Sequence, residues 1–440
     1  EEKRLAMLYF RWDEVAPLLR GMYARQQDGF GQEQPQSATE SPTFHSETMA
    51  VYPGDKNNLP YDVVVERLHI EEPEPPATVT EPEKTFEEVL DEHPVSIQVN
   101  GQWETFSNAK AAEEASYEEY KANLRRNAKN FRITDEHLGE GGPKAKFQAN
   151  VNAIRLLKEL EVAGQQASPE QQEVLSRYVG WGGLSDAFDP EKPAWALEYA
   201  QLKELLTPEE YAAARSSTLN AHYTSPTVIQ AIYEAVDRMG FETGNILEPS
   251  MGVGNFFGML PEKMRNSRLY GVELDPVSGR IAKQLYPKAD ITVGGFETTD
   301  RRDFFDLAIG NVPFGQYQVN DKAYNKLSFS IHNYFFAKAL DQVRPGGVVA
   351  FVTSRYTMDA KDSTVRRYLA QRAELLGAIR LPNDAFKKNA GAEVVSDIIF
   401  LQKRDRPLDI VPEWTQTGQT EDGFAINRYF IDHPEMVLGR

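Results

Sequence analysis

From residue 223 onward the apolar and polar positions follow two alternating rhythms. The short runs NILEP, RLYGVEL, DITV, FDLAIGN, GGVVAFVTS, LLGAIRL and SDIIFLQK have the length and branched or aromatic content of buried strands. Between most of them lie PVSGRIAKQLY, SIHNYFFAKALDQVR and TVRRYLAQRAE, with apolar residues at helical spacing. SPTVIQAIYEAVDRMG leads in as a capped amphipathic helix that ends in glycine. This alternation predicts an α/β fold with helices on both faces of the sheet, and we assign 223–405 to one doubly wound domain.

The chain before 223 follows other patterns. Residues 1–26 suit a short amphipathic helix, and 27–45 are polar, rich in Gln and Ser, and read as a loop. From 46 to 108 we expect a few strands around a Pro/Glu-rich linker at 71–84. SIQVNGQWETF places Asn-Gly between two alternating runs, the signal of a tight hairpin. Residues 109–222 read as a mainly helical accessory region, with SPEQQEV and TPEEYAAAR each opening as Ser/Thr-capped helices with proline at the first position. YVGWGGL (178–184) reads as an aromatic-glycine turn with Trp181 as packing. HLGEGGPKAK is a glycine-rich loop that lacks the ending of a phosphate-binding P-loop. Residues 406–440 read as a tail leading to further chain.

Composition narrows the classes. At 440 residues the chain holds two or three domains, and no apolar run approaches the roughly 20 residues of a membrane span. With no cysteine there is neither a disulfide frame nor a thiolate metal site, and the seven His show no metal-ligand spacing. His222 and His332 read as structural. The start is charged, lacks Met and carries no signal peptide, so we expect a cytoplasmic piece of a longer protein. A net charge of −18 opposes a generally phosphate-gripping surface. Two basic stretches remain, 121–132 and 361–388, the second carrying Arg366, Arg380, Lys387 and Lys388; each fits either a nucleic-acid face or a solvated helix face.

Ligands in doubly wound folds sit beyond the carboxyl ends of strands, so the residues just after each run matter most. After NIL come Glu248, Pro249, Ser250, Met251, Gly252, Val253 and Gly254. Such a loop approaches a ligand closely, or is merely a turn. The second run ends in Glu273, placed to accept the hydroxyls of a ribose. Together they fit a nucleoside-containing cofactor, although the third glycine of an NAD site is here Phe257. The fourth run ends in GNVPFG. Asn311 offers a side-chain oxygen, Pro313 holds Val312 extended with its carbonyl available, and Phe314 offers a stacking face. Two acceptors beside an aromatic face suit the exocyclic amino group of a planar base taken out of its duplex.

These turns resemble the S-adenosylmethionine-dependent DNA adenine-N6 methyltransferases, in the class whose cofactor motif precedes the catalytic tetrapeptide. HYTSP looks like the first cofactor motif, implying Thr224 near the methionine end. EPSMGVGNF looks like the glycine loop with Glu248, Ser250, Gly252 and Gly254, and GVELDP like the ribose-binding segment with Glu273. GGFE looks like the adenine-binding turn with Phe296, and Phe335 of SIHNYFFAKAL is implied beside the same ring. NVPF stands where the family has Asn/Asp-Pro-Pro-Tyr/Phe, so Asn311, Val312, Pro313 and Phe314 are the implied catalytic set. LPNDAFKK is similar to the segment whose aromatic residue, here Phe386, stacks on the flipped base. Two positions depart: Val312 replaces the first proline, and Gly295 replaces an acid.

The resemblance implies a Rossmann-like seven-stranded sheet with a helical N-terminal extension and a small α+β segment. It further implies S-adenosylmethionine as cofactor, no metal, and double-stranded DNA as partner. The whole chain is also similar to the methylase part of large methylase–helicase proteins of mobile elements, implying a helicase region in the same polypeptide. Alternatives at this stage are a methyltransferase-fold module that binds DNA or a partner without turnover, and the same chemistry on an RNA base or a protein glutamine.

Overall fold

The computed structural model describes residues 94–99, 102–135, 137–218, 224–383 and 395–438. The expected helix at 1–26, the linker, His222, Lys387, Lys388 and Phe386 lie outside the described residues. The chain divides into two compact units, one from Lys129–Lys158 with the chain from Pro169 onward, the other including Glu159–Ser168 and the segment ending at Ala128.

In the smaller unit, β1 (Val95–Val99) and β2 (Gln102–Phe106) pair antiparallel, with Val99 opposite Gln102. Asn100 and Gly101 themselves lie outside the described residues; the antiparallel pair that flanks them is the one the hairpin signal predicts. Helix α1 (Ala109–Asn127) follows, its N-cap Asn108 accepting from the Ala111 N–H at 2.8 Å.

The long helix α2 (Pro143–Ala163) belongs to the larger unit as far as Lys158, and that unit continues with α3 (Pro169–Ser176), α4 (Ala196–Leu205) and α5 (Pro208–Ser217). The Thr207 cap of α5 forms a full capping box with Glu210. Helix α6 (Pro226–Arg238), capped by Ser225, leads to the sheet. The strands are β3 (Asn245–Glu248), β4 (Arg268–Glu273), β5 (Asp290–Val293), β6 (Phe305–Asn311), β7 (Val343–Ser354), β8 (Ala373–Arg380) and β9 (Ser396–Lys403). Their order is β5-β4-β3-β6-β7-β9-β8, with β9 antiparallel to both neighbours and the pairs from β5 to β7 parallel. This is the seven-stranded Rossmann-like sheet that the resemblance implies. The central strands bury nearly every side chain because helices cover both faces, which is why they read as unbroken apolar runs.

Two expected boundaries do not separate compact units. Residues 129–158 and 169–218 belong with the sheet. Phe131 N–H donates to the Leu285 carbonyl, Ile133 N–H to that of Gly258, and the buried Gln172 amide to the carbonyls of Lys129, Gln284 and Leu285. The chain after 405 likewise folds back rather than trailing away. Thr417–Gln419 pairs with Ala425–Asn427, and the buried Asn427 amide donates to the Met358 and Trp414 carbonyls.

Candidate functional site

The order of strands reverses at β3, which has β4 on one side and β6 on the other. Such a switch point leaves a crevice beyond the strand ends. Here it opens into a cavity of about 880 Å3, lined by the ends of β3, β4 and β6 and the turn after β5. The loop from Pro249 to Gly254 runs into the four-residue helix α7 (Asn255–Gly258). The Ser250 hydroxyl donates to the Asn311 carbonyl at 2.9 Å, which ties the glycine loop to the end of β6.

Carboxylates dominate the electrostatics of this wall. Glu273 accepts the Gly252 N–H on one oxygen and the Asp275 N–H on the other, both at 2.7 Å. Burial raises its pKa most, the neighbouring Asp275 charge adds to this, and the backbone N–H groups pull back, leaving it at about 7. Glu248 is buried, and burial first, then the charge of Glu273, holds it well above the usual carboxylate range. Its Oε2 has no hydrogen-bond partner among the described residues. Across the cavity wall, the Phe296 and Phe335 rings lie 5.0 Å apart between centroids, tilted by 35°, and form one apolar surface. A buried acid with an open acceptor, a second acid at the next strand end and a paired aromatic surface fit the nucleoside cofactor that the resemblance implies.

The fold gathers most of the expected site residues. Thr224, Glu248, Ser250, Gly252, Glu273, Phe296, Phe335, Asn311, Val312 and Pro313 all line this one cavity. Phe314, half-buried, is not among the lining residues. Gly254 is also absent from the lining. It caps α7 with φ of 86°, and a side chain there would meet the Tyr286 ring and Met251, so its place is explained by backbone conformation and close packing. Glu273 differs from expectation in that each oxygen already holds one backbone N–H, leaving its remaining lone pairs for a ligand.

Val312, the departure from the tetrapeptide pattern, has its side chain in the core at 1% exposure. Its N–H donates to the Val352 carbonyl at 3.1 Å, extending the β6–β7 ladder by one residue beyond the Asn311–Val352 pair. Downstream, the loop of Tyr317–Asn320 forms another part of the cavity wall. It is anchored by Asp321, which accepts from the buried Lys338 ammonium at 2.8 Å and the Tyr334 hydroxyl at 2.9 Å. Lys338 also donates to the Glu297 carbonyl and stands 5.3 Å from the Phe296 ring centroid.

Sequence reading assigned no site role to the accessory segments, yet Tyr178, Val179, Gly180, Ala213, Ser216 and Ser217 line the same cavity. The signal was present in YVGWGGL, where Trp181 is indeed packing, edge-on to Phe147, Tyr178 and Phe188. His332 is buried and hydrogen-bonded to Ser330, consistent with a structural role. Two arginines of the 361–388 stretch do not form a basic face. Arg366 is buried with its Nε donating to the Thr415 carbonyl, and Arg380 is buried against Asp397 and Asp359. Lys144 of the HLGEGGPKAK stretch lies in the first turn of α2, where it pairs with Glu198 and lies over the Trp195 ring, so it is engaged within the fold. Among the described residues no group of three acidic or His side chains is placed to hold a metal ion, and no helix is long and apolar enough to cross a membrane.

Comparison with known proteins gives partial matches. No protein-family model matches the chain. It is 28% identical over 272 residues to the defense against restriction protein B of Escherichia phage P1, across 60% of this chain and 10% of that protein. It is 45% identical over 74 residues to the type II methyltransferase M.CvrRI of Paramecium bursaria Chlorella virus XZ-6E, across 17% of this chain and 19% of that enzyme. The chain thus spans about a tenth and a fifth of the lengths of these relatives. Among solved structures, a Listeria monocytogenes protein described as a class I S-adenosylmethionine-dependent methyltransferase aligns at 19% identity and a TM-score of 0.38, covering 61% of this chain and 90% of that one. So loose a superposition adds nothing to the strand order, which identifies the fold by itself.

Proposed function

We propose that this chain carries the methyltransferase site of an N6-adenine DNA-modifying protein that uses S-adenosylmethionine. The observation that carries the reading is the Asn311–Pro313 segment on the wall of the switch-point cavity, beside Glu248, Glu273 and the Phe296–Phe335 surface. Identity to a viral type II methyltransferase supports it. In this reading Thr224 and Glu248 hold the amino-acid end of the cofactor, Glu273 a ribose hydroxyl, and Phe296 with Phe335 the adenine face. Bound there, S-adenosylmethionine supplies an electrophilic methyl group on a sulfonium sulfur.

The remaining chemistry belongs to the chain. An exocyclic amino nitrogen conjugated with its ring is a poor nucleophile. Hydrogen bonds from that amino group to the Asn311 side-chain oxygen and the Val312 carbonyl draw its hydrogens out of the ring plane and return the lone pair to nitrogen. Catalysis then rests on position and preorganised dipoles. Phe314 and Phe386 are assigned to the two faces of the flipped base. Double-stranded DNA is the proposed substrate, a helicase region the proposed companion in the same polypeptide, and the cytoplasm the proposed location.

The test is calorimetric titration with S-adenosylmethionine, followed by tritiated-methyl transfer to mixed-sequence duplex DNA and digestion to nucleosides. N6-methyladenine is the expected product. Cofactor binding with no transfer to any DNA at saturation overturns the enzyme reading in favour of a binding module. Label on RNA or on a glutamine amide moves the acceptor.

A further inference from the structure

The segment Tyr178–Gly180 is an unusually constrained turn outside the sheet. Asn150 of α2, fully buried, spends its whole amide on it: Oδ1 accepts the Val179 N–H at 2.9 Å and Nδ2 donates to the Gly180 carbonyl at 2.6 Å. Trp181, the next residue, is locked among aromatic edges. A buried amide is retained when its hydrogen bonds are satisfied, and here satisfying them defines the path of one turn. Tyr178, fully buried, lines the cavity together with Ser278 of the helix Pro276–Leu285, whose hydroxyl donates to Asp275 at 2.6 Å. Those groups adjoin Glu273, since Asp275 N–H is one of its two backbone donors.

Helix α5 is held just as firmly. Its Glu210 accepts Lys158 at 2.8 Å and Arg280 of the helix Pro276–Leu285 at 2.7 Å. Burial alone would raise the Glu210 pKa, but these cations and the Thr207 N–H outweigh it and the carboxyl titrates below its usual value. The pairs fix the first turn of α5, from which the helix carries Ala213, Ser216 and Ser217 to the cavity. Both serine hydroxyls donate to carbonyls of their own helix, so toward the cavity they present acceptor oxygens.

We propose that the Tyr178–Gly180 turn and the C-terminal end of α5 are cofactor-binding elements, so that accessory helices, and not the sheet domain alone, set the affinity for the S-adenosyl nucleoside. The inference rests on the proposed function and deepens it. The turn supplies the Val179 side chain on a fixed backbone beside the ribose-binding loop, and α5 supplies hydroxyl acceptors on the same cavity wall as Thr224.

The test uses the full chain. Val179→Trp and Ser217→Trp each push an indole into the cavity, whereas Leu197→Trp places one on the exposed face of α4. S-Adenosylhomocysteine is titrated into each by calorimetry. The two cavity variants are expected to bind at least about tenfold more weakly, with unchanged thermal midpoints without ligand, while Leu197→Trp binds as the parent does. Parent-like binding by both cavity variants overturns the proposal. If Val179→Trp fails to fold, Ser217→Trp, on a solvent-accessible helix end, decides the question. Absence of binding by the parent chain instead overturns the proposed function, so the two failures are distinct.

Discussion

The backbone N–H of Val312 donates to the Val352 carbonyl at 3.1 Å. Proline has no such donor, so the residue that breaks the tetrapeptide pattern gains a ladder bond that the family residue cannot make. Rigidity that a ring would supply comes instead from the β6–β7 pairing. Val312→Pro, although it restores the family pattern, is therefore expected to leave the Val352 carbonyl unpaired and to destabilise the protein by about 1–3 kcal/mol. Chemical denaturation measures this, and a variant as stable as the parent would show that the ladder bond contributes nothing.

Asn311 is half-buried at the cavity wall, and its own carbonyl, rather than its side chain, carries the bond from Ser250. Asn311→Ala should leave the loop tied and the fold intact. Methyl transfer is expected to fall by roughly a hundredfold or more, as when a preorganised polar contact to a reacting group is lost. Cofactor affinity should hardly change. Single-turnover transfer together with calorimetric titration separates the two, and retained transfer removes Asn311 from the mechanism.

Glu273 predicts a pH signature. Its pKa is raised from 4.5 to about 7, chiefly by burial, so the folded state holds a proton that the unfolded chain has released. Its contribution is fully present below the unfolded value and is lost as pH rises through that window. His332 works in the opposite sense, because burial lowers it to about 4 and the fold loses stability as pH falls below 6.5. The comparison must therefore be a difference. Ligand-free Glu273→Gln is expected to gain stability relative to the parent between pH 5 and pH 8 (about the span of the shift), while binding cofactor more weakly. Melting curves across that range that stay parallel would contradict the assignment.

The buried Lys338 and the part-buried Asp321 form a pair that joins the loop after the tetrapeptide to the helix Ile331–Gln342 and to the turn bearing Phe296. Burial works to raise the Asp321 pKa, but Lys338 and Tyr334 more than offset it and keep the carboxylate ionised. Lys338→Met strands that charge and should cost about 3–5 kcal/mol. Adding Asp321→Leu should recover much of the loss, since two apolar groups need no partner. Equilibrium unfolding of the single and double variants gives the coupling directly, and additive losses would show that the pair is not a unit.

Much of the site was legible in the linear pattern because its residues follow strands. An apolar run followed by Glu-Pro-Ser-Met-Gly, or by Asn-Val-Pro-Phe, announces both the strand end and the chemistry beyond it. The pairing of β1 with β2 and the Thr207 cap are equally local, each decided within a few residues. Less legible were Arg366 and Arg380, which carry the charge of surface residues. Their partners, Thr415 for one and Asp359 with Asp397 for the other, lie 17 to 49 positions away, so nothing nearby marks them as interior.

The sequence by itself determined the alternation of strands and helices, the order of motifs at the strand ends, and hence a doubly wound sheet with a nucleoside-type site. Local propensity and burial periodicity specify these within windows of ten or so residues. Only the tertiary structure decided that the accessory helices wall the same cavity, that the chain beyond 405 closes onto the domain, and that Val312 is held by Val352. Those outcomes depend on hydrogen bonds and packing between distant segments, whose residues carry no mark of one another until the chain has folded.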